Sequence, residues 1–339
     1  MADSPVALGT KFLRTLHDPV VPSRISKLRS LCTDDATWWV DTGRDRVAGS
    51  LAPVRGSRHC WPLHGSIFVD EKLDEFRSLA GEMFPKGVSL KMGFSPIESR
   101  NFAVVEGEGF GYARSGKIYN NRYAFLFETR HGKICSIREY LDTLHAQDVF
   151  GDARTGEIVV MPHQTSHPAD PSNEVERTMA KAWQTFSDGD IDGFARCFSD
   201  DATWWTDSGR ERVRGRFDLV HSAGDGTPFH GVVPMVEKIN YIRDRVQRSY
   251  GGTTIAVTPI RFISDSKRVA AEAVGQATLA NGRVYQNRYL LIADVSDNQI
   301  CALREYCDTL HVADVTGLGL GLRSAQDPRS SLPKRLDRN

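Results

Sequence analysis

Apolar residues in the first part of each half of the chain recur with the spacing of amphipathic helices. Leu8, Phe12 and Leu16, for example, share one face of a helix that begins after Ser4. The helices predicted in this way cover residues 5–16, 23–31 and 65–84, and later in the chain residues 175–186, 191–198 and 232–250. Each half therefore begins with helices.

The rest of each half shows the alternation of strands, and turn residues separate the strands. Short connections of the kind that close hairpins are His131-Gly132, Asn281-Gly282 and Asp297-Asn298. The predicted strands cover residues 37–40, 88–98, 101–113, 117–129 and 133–142, and then residues 254–263, 268–279, 283–294 and 299–308. Helices followed by a meander of strands predict an α+β fold, in which helices cover one face of a strongly curved, largely antiparallel sheet.

The second half of the chain repeats the first at a constant offset of 166 residues. Arg-Glu-Tyr-Leu-Asp-Thr-Leu-His at residues 138–145 returns as Arg-Glu-Tyr-Cys-Asp-Thr-Leu-His at residues 304–311. Such a long period indicates a duplicated domain rather than a solenoid. The predicted units are a domain over residues 1–151, a linker over 152–171, a second domain over 172–318 and a flexible basic tail over 319–339.

The 43 Lys and Arg residues balance the 43 Asp and Glu residues, so no net field favours nucleic acid or an anionic membrane as the main partner. A small molecule or a protein is expected instead. The six cysteines form no Cys-x-x-Cys pair and are predicted to be reduced, buried thiols. Neither a signal peptide nor a stretch of membrane-spanning length is evident, which predicts a soluble cytoplasmic protein.

The sequence gives no reason to expect a cofactor or a metal. It contains no P-loop and no His-Glu-x-x-His motif, and Gly107-Glu108-Gly109 lies within a strand pattern that does not continue as a dinucleotide fingerprint. His59, Cys60 and His64 are too loosely spaced for a metal site.

The helical start, the Asp-Asp-Ala-Thr-Trp-Trp strand, the Asn-Arg-Tyr strand and the closing Arg-Glu-Tyr-x-Asp-Thr-Leu-His strand resemble, in this order and twice, the SnoaL-like branch of the nuclear transport factor 2-like, or ketosteroid isomerase-like, superfamily. The resemblance implies a cone-shaped domain with a deep, mainly apolar pocket in each half. Many members form homodimers sheet to sheet, so the tandem copy is expected to be an internal pseudo-dimer, and further homo-oligomers stay open. The fold hosts isomerases, polyketide cyclases, dehydratases, epoxide hydrolases and binding modules, and does not fix a reaction.

Strand alternation places Ile137, Glu139 and Leu141 on one face of the closing strand, and Glu305 on the same face of its repeat. Desolvation raises the pKa of a carboxyl among apolar neighbours toward the range where a general acid or base works. We therefore interpret Glu139 and Glu305 as catalytic. The alternative is a structural ion pair with an arginine such as Arg122.

Asp142 and Asp308 lie where the closing strand of each half gives way to a short helix. They are therefore predicted to be N-caps outside the active site.

Limonene-type epoxide hydrolases are similar in their closing strand, which carries Arg-Asp-Tyr-x-Asp with a catalytic first acid, and this position is Glu139 or Glu305 here. Their second element is an arginine and an aspartate two residues apart, and a count back through the hairpin reaches Glu106 and Glu108, or Glu272 and Val274. Because the arginine is missing, epoxide hydrolysis is less favoured than proton transfer. Glu106 and Glu272 are predicted to face the cavity as second carboxyls, with a salt-bridged structural role as the alternative.

His64 and His230 precede predicted helices and are candidate proton shuttles, although a histidine in such a loop is often a capping or packing group. A second set of residues is predicted to contact the substrate: Trp38, Glu108, Phe110, Asn121, Tyr123, Leu141, Trp204, Asn287 and Tyr289. The first half is expected to be the more active, because Glu108 and Phe110 become Val274 and Gln276 in the second.

Taken together, the sequence predicts a cofactor-independent general acid/base enzyme of the isomerase, cyclase or dehydratase type. Its substrate would be a hydrophobic, oxygenated small molecule such as a polyketide, terpenoid or steroid-like intermediate. The alternatives are an epoxide hydrolase of the limonene type and a non-catalytic binding or pairing module whose acids are structural.

Overall fold

The computed structural model describes residues 3–18, 23–40, 65–150, 167–206, 231–248, 250–309 and 311–312. His64, His230, Cys60, most of the predicted linker and the basic tail lie outside these residues.

Helices form within the segments that the apolar spacing predicts, although the third helix of each half begins later than predicted. In the first helix the Ser4 hydroxyl accepts the Ala7 N–H over 3.3 Å, Pro5 occupies the first turn, and Phe12 is fully buried. The helices are α1 (Pro5–His17), α2 (Arg24–Ser30), α3 (Val69–Met83), α4 (Thr143–Phe150), α5 (Glu174–Ser187), α6 (Ile191–Ala195) and α7 (Met235–Arg248). Within the described part of the chain, none of them is long and apolar enough to cross a membrane.

The strands follow the same order in both halves. They are β1 (Cys32–Val40), β2 (Gly65–Phe68), β3 (Val88–Met92), β4 (Ile97–Ser99), β5 (Phe102–Tyr112), β6 (Ile118–Tyr119), β7 (Arg122–Arg130) and β8 (Lys133–Leu141), and then β9 (Phe198–Thr206), β10 (Gly231–Pro234), β11 (Ala256–Ser264), β12 (Arg268–Thr278), β13 (Val284–Ser296) and β14 (Gln299–Cys307).

Each half folds into one curled, mixed sheet. The first has the order β2-β1-β8-β7-β5-β3, with β4 and β6 also paired to β5, and the second has the order β10-β9-β14-β13-β12-β11. The pairs β1–β8 and β9–β14 are parallel and the other pairs are antiparallel. The predicted α+β fold of two tandem domains is confirmed.

Turn chemistry accounts for the hairpins. Asp297 and Asn298 both have positive φ, 50° and 61°, and so do His131 and Gly132, 53° and 72°. Two consecutive residues with positive φ match the twist of two-residue hairpin loops. The predicted hairpins before β8 and β14 are therefore present.

The prediction that the third helix of each half begins near Gly65 or Val232 is wrong. Residues 65–68 and 231–234 are strands that extend the sheet beside β1 and β9, with Ile67 opposite Trp38. Gly231 has a φ of 75°, which a right-handed helix does not admit. The β-branched residues of these segments pair as strands because the edge of β1 or β9 offers them hydrogen bonds.

The helices cover one face of each sheet and enclose an apolar core there. We call this the inner face of the sheet and the opposite one the outer face. The core of the first half includes Phe12, Trp38, Phe127 and Ile137. Alternation along the strands sends successive side chains to the two faces, so both faces of the central strands are buried.

The outer faces of the two sheets pack against each other in one apolar cluster. Every member has its repeat equivalent in the same cluster: Trp39, Ile97, Val104, Ala124, Leu126 and Tyr140 from the first half, and Trp205, Ile263, Ala270, Leu290, Ile292 and Tyr306 from the second. The contacts are those expected of a dimer interface within one chain.

The described cysteines are free thiols. Cys32, Cys197 and Cys307 are buried as predicted, whereas Cys135 and Cys301 are half-buried.

Candidate functional site

The Glu139 carboxyl lies on the inner face of β8, between Ile137 and Leu141 of the apolar core. Trp38 on the neighbouring strand donates its Nε1 hydrogen to Glu139 Oε2 over 2.7 Å. Strand alternation therefore placed Glu139 on the correct face. Its role in catalysis stays a prediction.

The second half repeats this arrangement. Trp204 donates its Nε1 hydrogen to Glu305 Oε2 over 2.8 Å, and the Thr206 hydroxyl donates to the same oxygen over 2.9 Å. Val40 occupies the position of Thr206 in the first half, so the second carboxyl has one more hydrogen-bond donor.

A buried lysine stands beside each carboxyl. Lys72 on α3 and Lys238 on α7 are repeat equivalents, and their Nζ atoms lie 5.2 Å and 4.6 Å from the ring centroids of Trp38 and Trp204. Lys238 Nζ is 3.9 Å from Glu305 Oε2. Each half thus contains a triad of carboxyl, indole and amine, which we call the inner triad.

Burial shifts the pKa values of Glu139, Lys72 and Lys238 toward neutrality. It raises the pKa of Glu139, against the opposing effects of the Lys72 charge and the Trp38 hydrogen bond. Burial also lowers the pKa of Lys72 to about 8, and it lowers the pKa of Lys238. Acid and base groups shifted toward neutrality are typical of functional sites.

The inner triad of the second half lines a cavity. Its walls include the apolar side chains of Trp183 and Leu291, and its polar groups include Lys238, Glu305 and Arg245. The cavity volume is about 70 Å³, which is room for several water molecules or a small ligand.

A pair of tyrosines completes this cavity. The Tyr285 and Tyr289 hydroxyls hydrogen-bond to each other, and both residues line the cavity. Burial raises the pKa of both, so their hydroxyls stay protonated at neutral pH. Tyr119 and Tyr123 form the same pair in the first half.

Glycine makes room for one ring of each tyrosine pair. A Cβ at Gly275 would lie 2.6 Å from Tyr289 Cε2, and a Cβ at Gly109 would lie 2.8 Å from Tyr123 Cε2. The glycine of the Gly107-Glu108-Gly109 segment therefore serves ring packing within β5, in agreement with its interpretation as part of a strand.

The predicted placement of Glu106 and Glu272 in the cavities is wrong. Glu106 lies on the outer face of β5, where its Oε1 accepts hydrogen bonds from Arg304 Nε over 2.9 Å and from the Tyr306 hydroxyl over 2.7 Å. Arg304 and Tyr306 belong to the other half, so Glu106 joins the two sheets. The alternative of a salt-bridged structural acid describes its contacts.

Glu272 of the second half makes the equivalent contacts with Arg138 and Tyr140 of the first half. Its Oε1 accepts the Tyr140 hydroxyl over 2.9 Å, and Arg138 Nε and Arg261 Nε lie 3.5 Å and 3.3 Å from its oxygens. Burial alone would raise the pKa of Glu272, but the charges of Arg138, Arg261 and Arg288 outweigh it and lower the pKa.

Two further predicted contact residues, Glu108 and Phe110, lie away from the inner face. Glu108 pairs with Arg122, whose guanidinium lies over the Trp205 ring at the interface. Phe110 is exposed and packs on Tyr112. Arg122 therefore does not neutralise Glu139, and the expected advantage of the first half loses its basis.

The amides of Asn121 and Asn287 are occupied by backbone. The Asn121 amide donates to the Asp142 carbonyl over 2.9 Å and accepts the Asp142 N–H over 3.1 Å, and Asn287 bonds Asp308 in the same way over 3.3 Å and 3.2 Å. Both residues hold the end of the last strand, contrary to the predicted substrate contact.

Asp142 and Asp308 cap the helical turns after β8 and β14, as predicted. Asp142 Oδ1 accepts the His145 N–H over 3.1 Å and also the Thr309 hydroxyl of the other half over 2.5 Å. Thr143 donates to Asp308 Oδ1 over 2.6 Å in return. The caps thus also join the two halves.

The remaining predicted residues divide by position. Trp38, Trp204, Tyr123, Tyr289 and Leu141 lie on the inner faces, and the proposed shuttles His64 and His230 lie outside the described residues. Sequence reasoning missed Lys72 and Lys238. The available signal was a lysine on the apolar face of a helix at matching positions of both repeats.

Neither a family model nor a curated protein sequence matches the chain. Similar solved structures are nuclear transport factor 2-like and ketosteroid isomerase-like proteins. One is a nuclear transport factor 2-like protein of unknown function from Burkholderia pseudomallei K96243, at 18% identity and a TM-score of 0.34, covering 43% of this chain and 98% of that one. Another is a Δ5-3-ketosteroid isomerase from Mycobacterium sp., at 21% identity and a TM-score of 0.30, covering 40% and 93%.

A third is a hypothetical protein with a ketosteroid isomerase-like fold from Catenulispora acidiphila DSM 44928 in complex with trimethylamine. It is 14% identical, with a TM-score of 0.29, and covers 41% of this chain and 86% of that one. Each of these matches covers less than half of this chain and most of the other chain. Identities this low do not extend to a reaction.

Proposed function

We propose that the protein is a cofactor-independent enzyme that moves protons on a small, hydrophobic, oxygenated substrate such as a polyketide, terpenoid or steroid-like intermediate. Glu139 and Glu305 are the proposed general acid/base groups, one in each half. The observation that carries the proposal is the inner triad, which places a desolvated carboxyl beside an indole and an amine twice in one chain.

The hydrogen bonds leave one oxygen of each carboxyl for a substrate. Among the described residues, the hydrogen bonds from Trp204 and Thr206 both reach Oε2 of Glu305, and the bond from Trp38 reaches Oε2 of Glu139. Oε2 is thereby fixed in place and Oε1 keeps its lone pairs. A positioned lone pair next to a cavity is what a general base needs.

The paired tyrosines supply the complementary group. When Glu305 removes a proton from the carbon beside a carbonyl group, negative charge moves onto the carbonyl oxygen. A protonated hydroxyl of Tyr289 or Tyr285 in the same cavity can donate to that oxygen. Return of the proton to another carbon gives isomerisation, and loss of a β-hydroxyl gives dehydration.

The direct test is proton exchange in D₂O. The full chain is incubated with a panel of cyclic enones and 1,3-diketones, and loss of the α-proton signal is followed by NMR. Glu139→Gln with Glu305→Gln should slow exchange by roughly 10²–10⁴-fold. Glu82→Gln, at an exposed glutamate of α3, is the matched control and should exchange at the parent rate.

A folded double variant that exchanges at the parent rate contradicts the proposal. Its fold is checked by circular dichroism and by the midpoint of thermal unfolding.

Binding without catalysis is the second candidate, and the 3.9 Å approach of Lys238 to Glu305 favours it, because the lysine can neutralise the carboxylate structurally. This candidate predicts that panel compounds bind by calorimetry and that none of them exchanges protons.

A further inference from the structure

The Lys238 side chain brings a primary amine into the cavity of the second half. The proton transfer proposed for Glu305 and the paired tyrosines does not require this amine. It extends from α7 between the buried apolar residues Met235 and Ile239, and only 2% of the residue is exposed. A lysine on a regular helix is held in position, which favours reaction at one place in the cavity.

The neighbours of the amine are those that a nucleophilic nitrogen needs. Lys238 Nζ lies 3.9 Å from Glu305 Oε2, 3.4 Å from the Thr206 hydroxyl oxygen and 4.6 Å from the centroid of the Trp204 ring. A carboxyl can exchange protons with the nitrogen, and the indole face stabilises positive charge on it. Burial lowers the pKa of Lys238, which increases the fraction of neutral amine.

We propose that Lys238 is a nucleophile that forms an imine with an aldehyde or ketone bound in the second cavity. The inference rests on the proposed function in one respect, since Glu305 is taken as the group that carries the protons.

The reaction balances without a further reagent. The neutral nitrogen of Lys238 attacks the carbonyl carbon, a C–N bond forms, and the carbonyl electron pair moves to oxygen. Glu305 takes a proton from nitrogen and passes it to that oxygen, which becomes a hydroxyl group. The second N–H proton is then transferred to the hydroxyl group as the C–O bond breaks and water leaves. The products are one imine and one water molecule, so no oxidation or reduction takes place.

Protonation of the imine places a positive charge where the ammonium group was. Glu305 and the Trp204 ring, which already surround a cation there, therefore also suit the iminium ion. An iminium group makes the adjacent C–H more acidic than the parent ketone does. The amine would thus assist the proton transfer assigned to Glu305.

The repeat supports a functional amine over an accident of packing. Lys72 stands at the equivalent position above Trp38, and burial lowers its pKa to about 8. Each of the two buried lysines lies over an indole and beside a carboxyl. The two copies of the domain have thus retained the amine and the carboxyl together. A purely structural ion pair explains the same contacts. The rate at which Lys238 reacts with an aldehyde distinguishes the two roles.

The test is reductive trapping on the unmodified full chain. The protein is incubated with benzaldehyde and sodium cyanoborohydride at pH 8, digested, and mapped by mass spectrometry. Lys238 should acquire the benzyl group at least about tenfold faster than the exposed Lys267 and Lys181, although it is less accessible. Modification of Lys238 no faster than Lys267 overturns the proposal.

A second measurement separates this inference from the proposed function. Glu305→Gln should slow the modification of Lys238 at least tenfold and leave that of Lys267 unchanged. Fast trapping at Lys238, together with parental proton exchange in the double glutamine variant, would sustain the amine and contradict the proposed function. Slow trapping at Lys238, together with loss of proton exchange in the double glutamine variant, would contradict the amine proposal and support the proposed function.

Discussion

The Trp204 indole donates its Nε1 hydrogen to Glu305 Oε2 over 2.8 Å, across a sequence separation of 101 residues. Trp38 and Glu139 form the same bond over 2.7 Å at the same separation. Because the pairing of the first and last strands of each half brings the two side chains together, the fold fixes one oxygen of each inner carboxyl.

Loss of the indole donor should raise the pKa of the inner carboxyl further. The Trp38 hydrogen bond favours the ionised form of Glu139, so Trp38→Phe should move the titration of this carboxyl to higher pH. The measurement is the carboxyl ¹³C shift of labelled glutamate against pH. Trp39→Phe, on the outer face, is the matched control and should leave the titration unchanged.

Lys72 should make stability rise with pH on the alkaline side of neutrality. Its pKa is about 8 in the folded chain against an ordinary value of 10.5, so between these values the unfolded chain binds more protons. The free energy of unfolding should therefore increase over this interval by an amount on the order of 3 kcal/mol. Urea unfolding of the parent and of Lys72→Met measures it, and the variant should keep only the smaller rise that Lys238 contributes, since burial lowers the pKa of that lysine too.

The exposed Lys27→Met is the control for the same measurement and should keep the rise of the parent. A rise in Lys72→Met as large as that of the parent would contradict the assignment to Lys72.

Glu272→Gln should weaken the fold, because the change removes a buried carboxylate that Arg138 and Arg261 share and leaves them the more exposed Glu128. We expect a loss of about 3 kcal/mol at pH 7 by urea unfolding. The pKa of Glu272 is lowered, so its contribution is present above about pH 4.5 and is lost as the pH falls through the folded pKa. Parent and variant should therefore converge in acid.

Glu139→Gln provides the contrast on the inner face. Its carboxyl has a raised pKa, so neutralising it should cost little stability at pH 7 and should impair proton exchange instead. Equal losses of stability in the two variants would contradict the division between inner and outer carboxyls.

Gly275→Ala should displace the Tyr289 ring, since the new Cβ would lie 2.6 Å from Tyr289 Cε2. Overpacking of this kind costs about 1–3 kcal/mol and should weaken ligand binding in the second cavity. Gly81→Ala, on α3 with no neighbouring atom within 4 Å of the new Cβ, should be neutral or stabilising. Thermal unfolding and calorimetric titration measure the two effects.

Prediction from the sequence was most reliable where local geometry alone decides the position of a side chain. Glu139 sits between two core residues of β8, so alternation settled its face, and Asp142 stands where a strand meets a helix, so capping chemistry settled its role. Both follow from local geometry that a repeat of the same residues reinforces.

Glu106 was misplaced because β5 is apolar on both faces. Val104 belongs to the interface and Val105 to the core. The alternation of apolar and polar residues that would show which face Glu106 occupies is therefore absent from this part of β5. A gapless count through the hairpin does not supply that information. Burial of the outer face depends on the second copy of the domain, which is a tertiary property.

The lysines were missed for the opposite reason. Lys72 lies on the buried face of α3 with Val69 and Leu73, where a charged residue contradicts the helical pattern. Such a contradiction, repeated at Lys238, was the available sign of a functional position.

The titration of the Glu139 carboxyl in the parent protein tests the central claim most directly. The ¹³C spectra of glutamate-labelled parent and Glu139→Gln are recorded from acid to alkaline pH, and the resonance absent from the variant is followed. The inner-face environment predicts a pKa above the ordinary value of 4.5, with the protonated form persisting toward neutral pH. A pKa at or below 4.5 would show an ordinary structural carboxylate and would contradict the account.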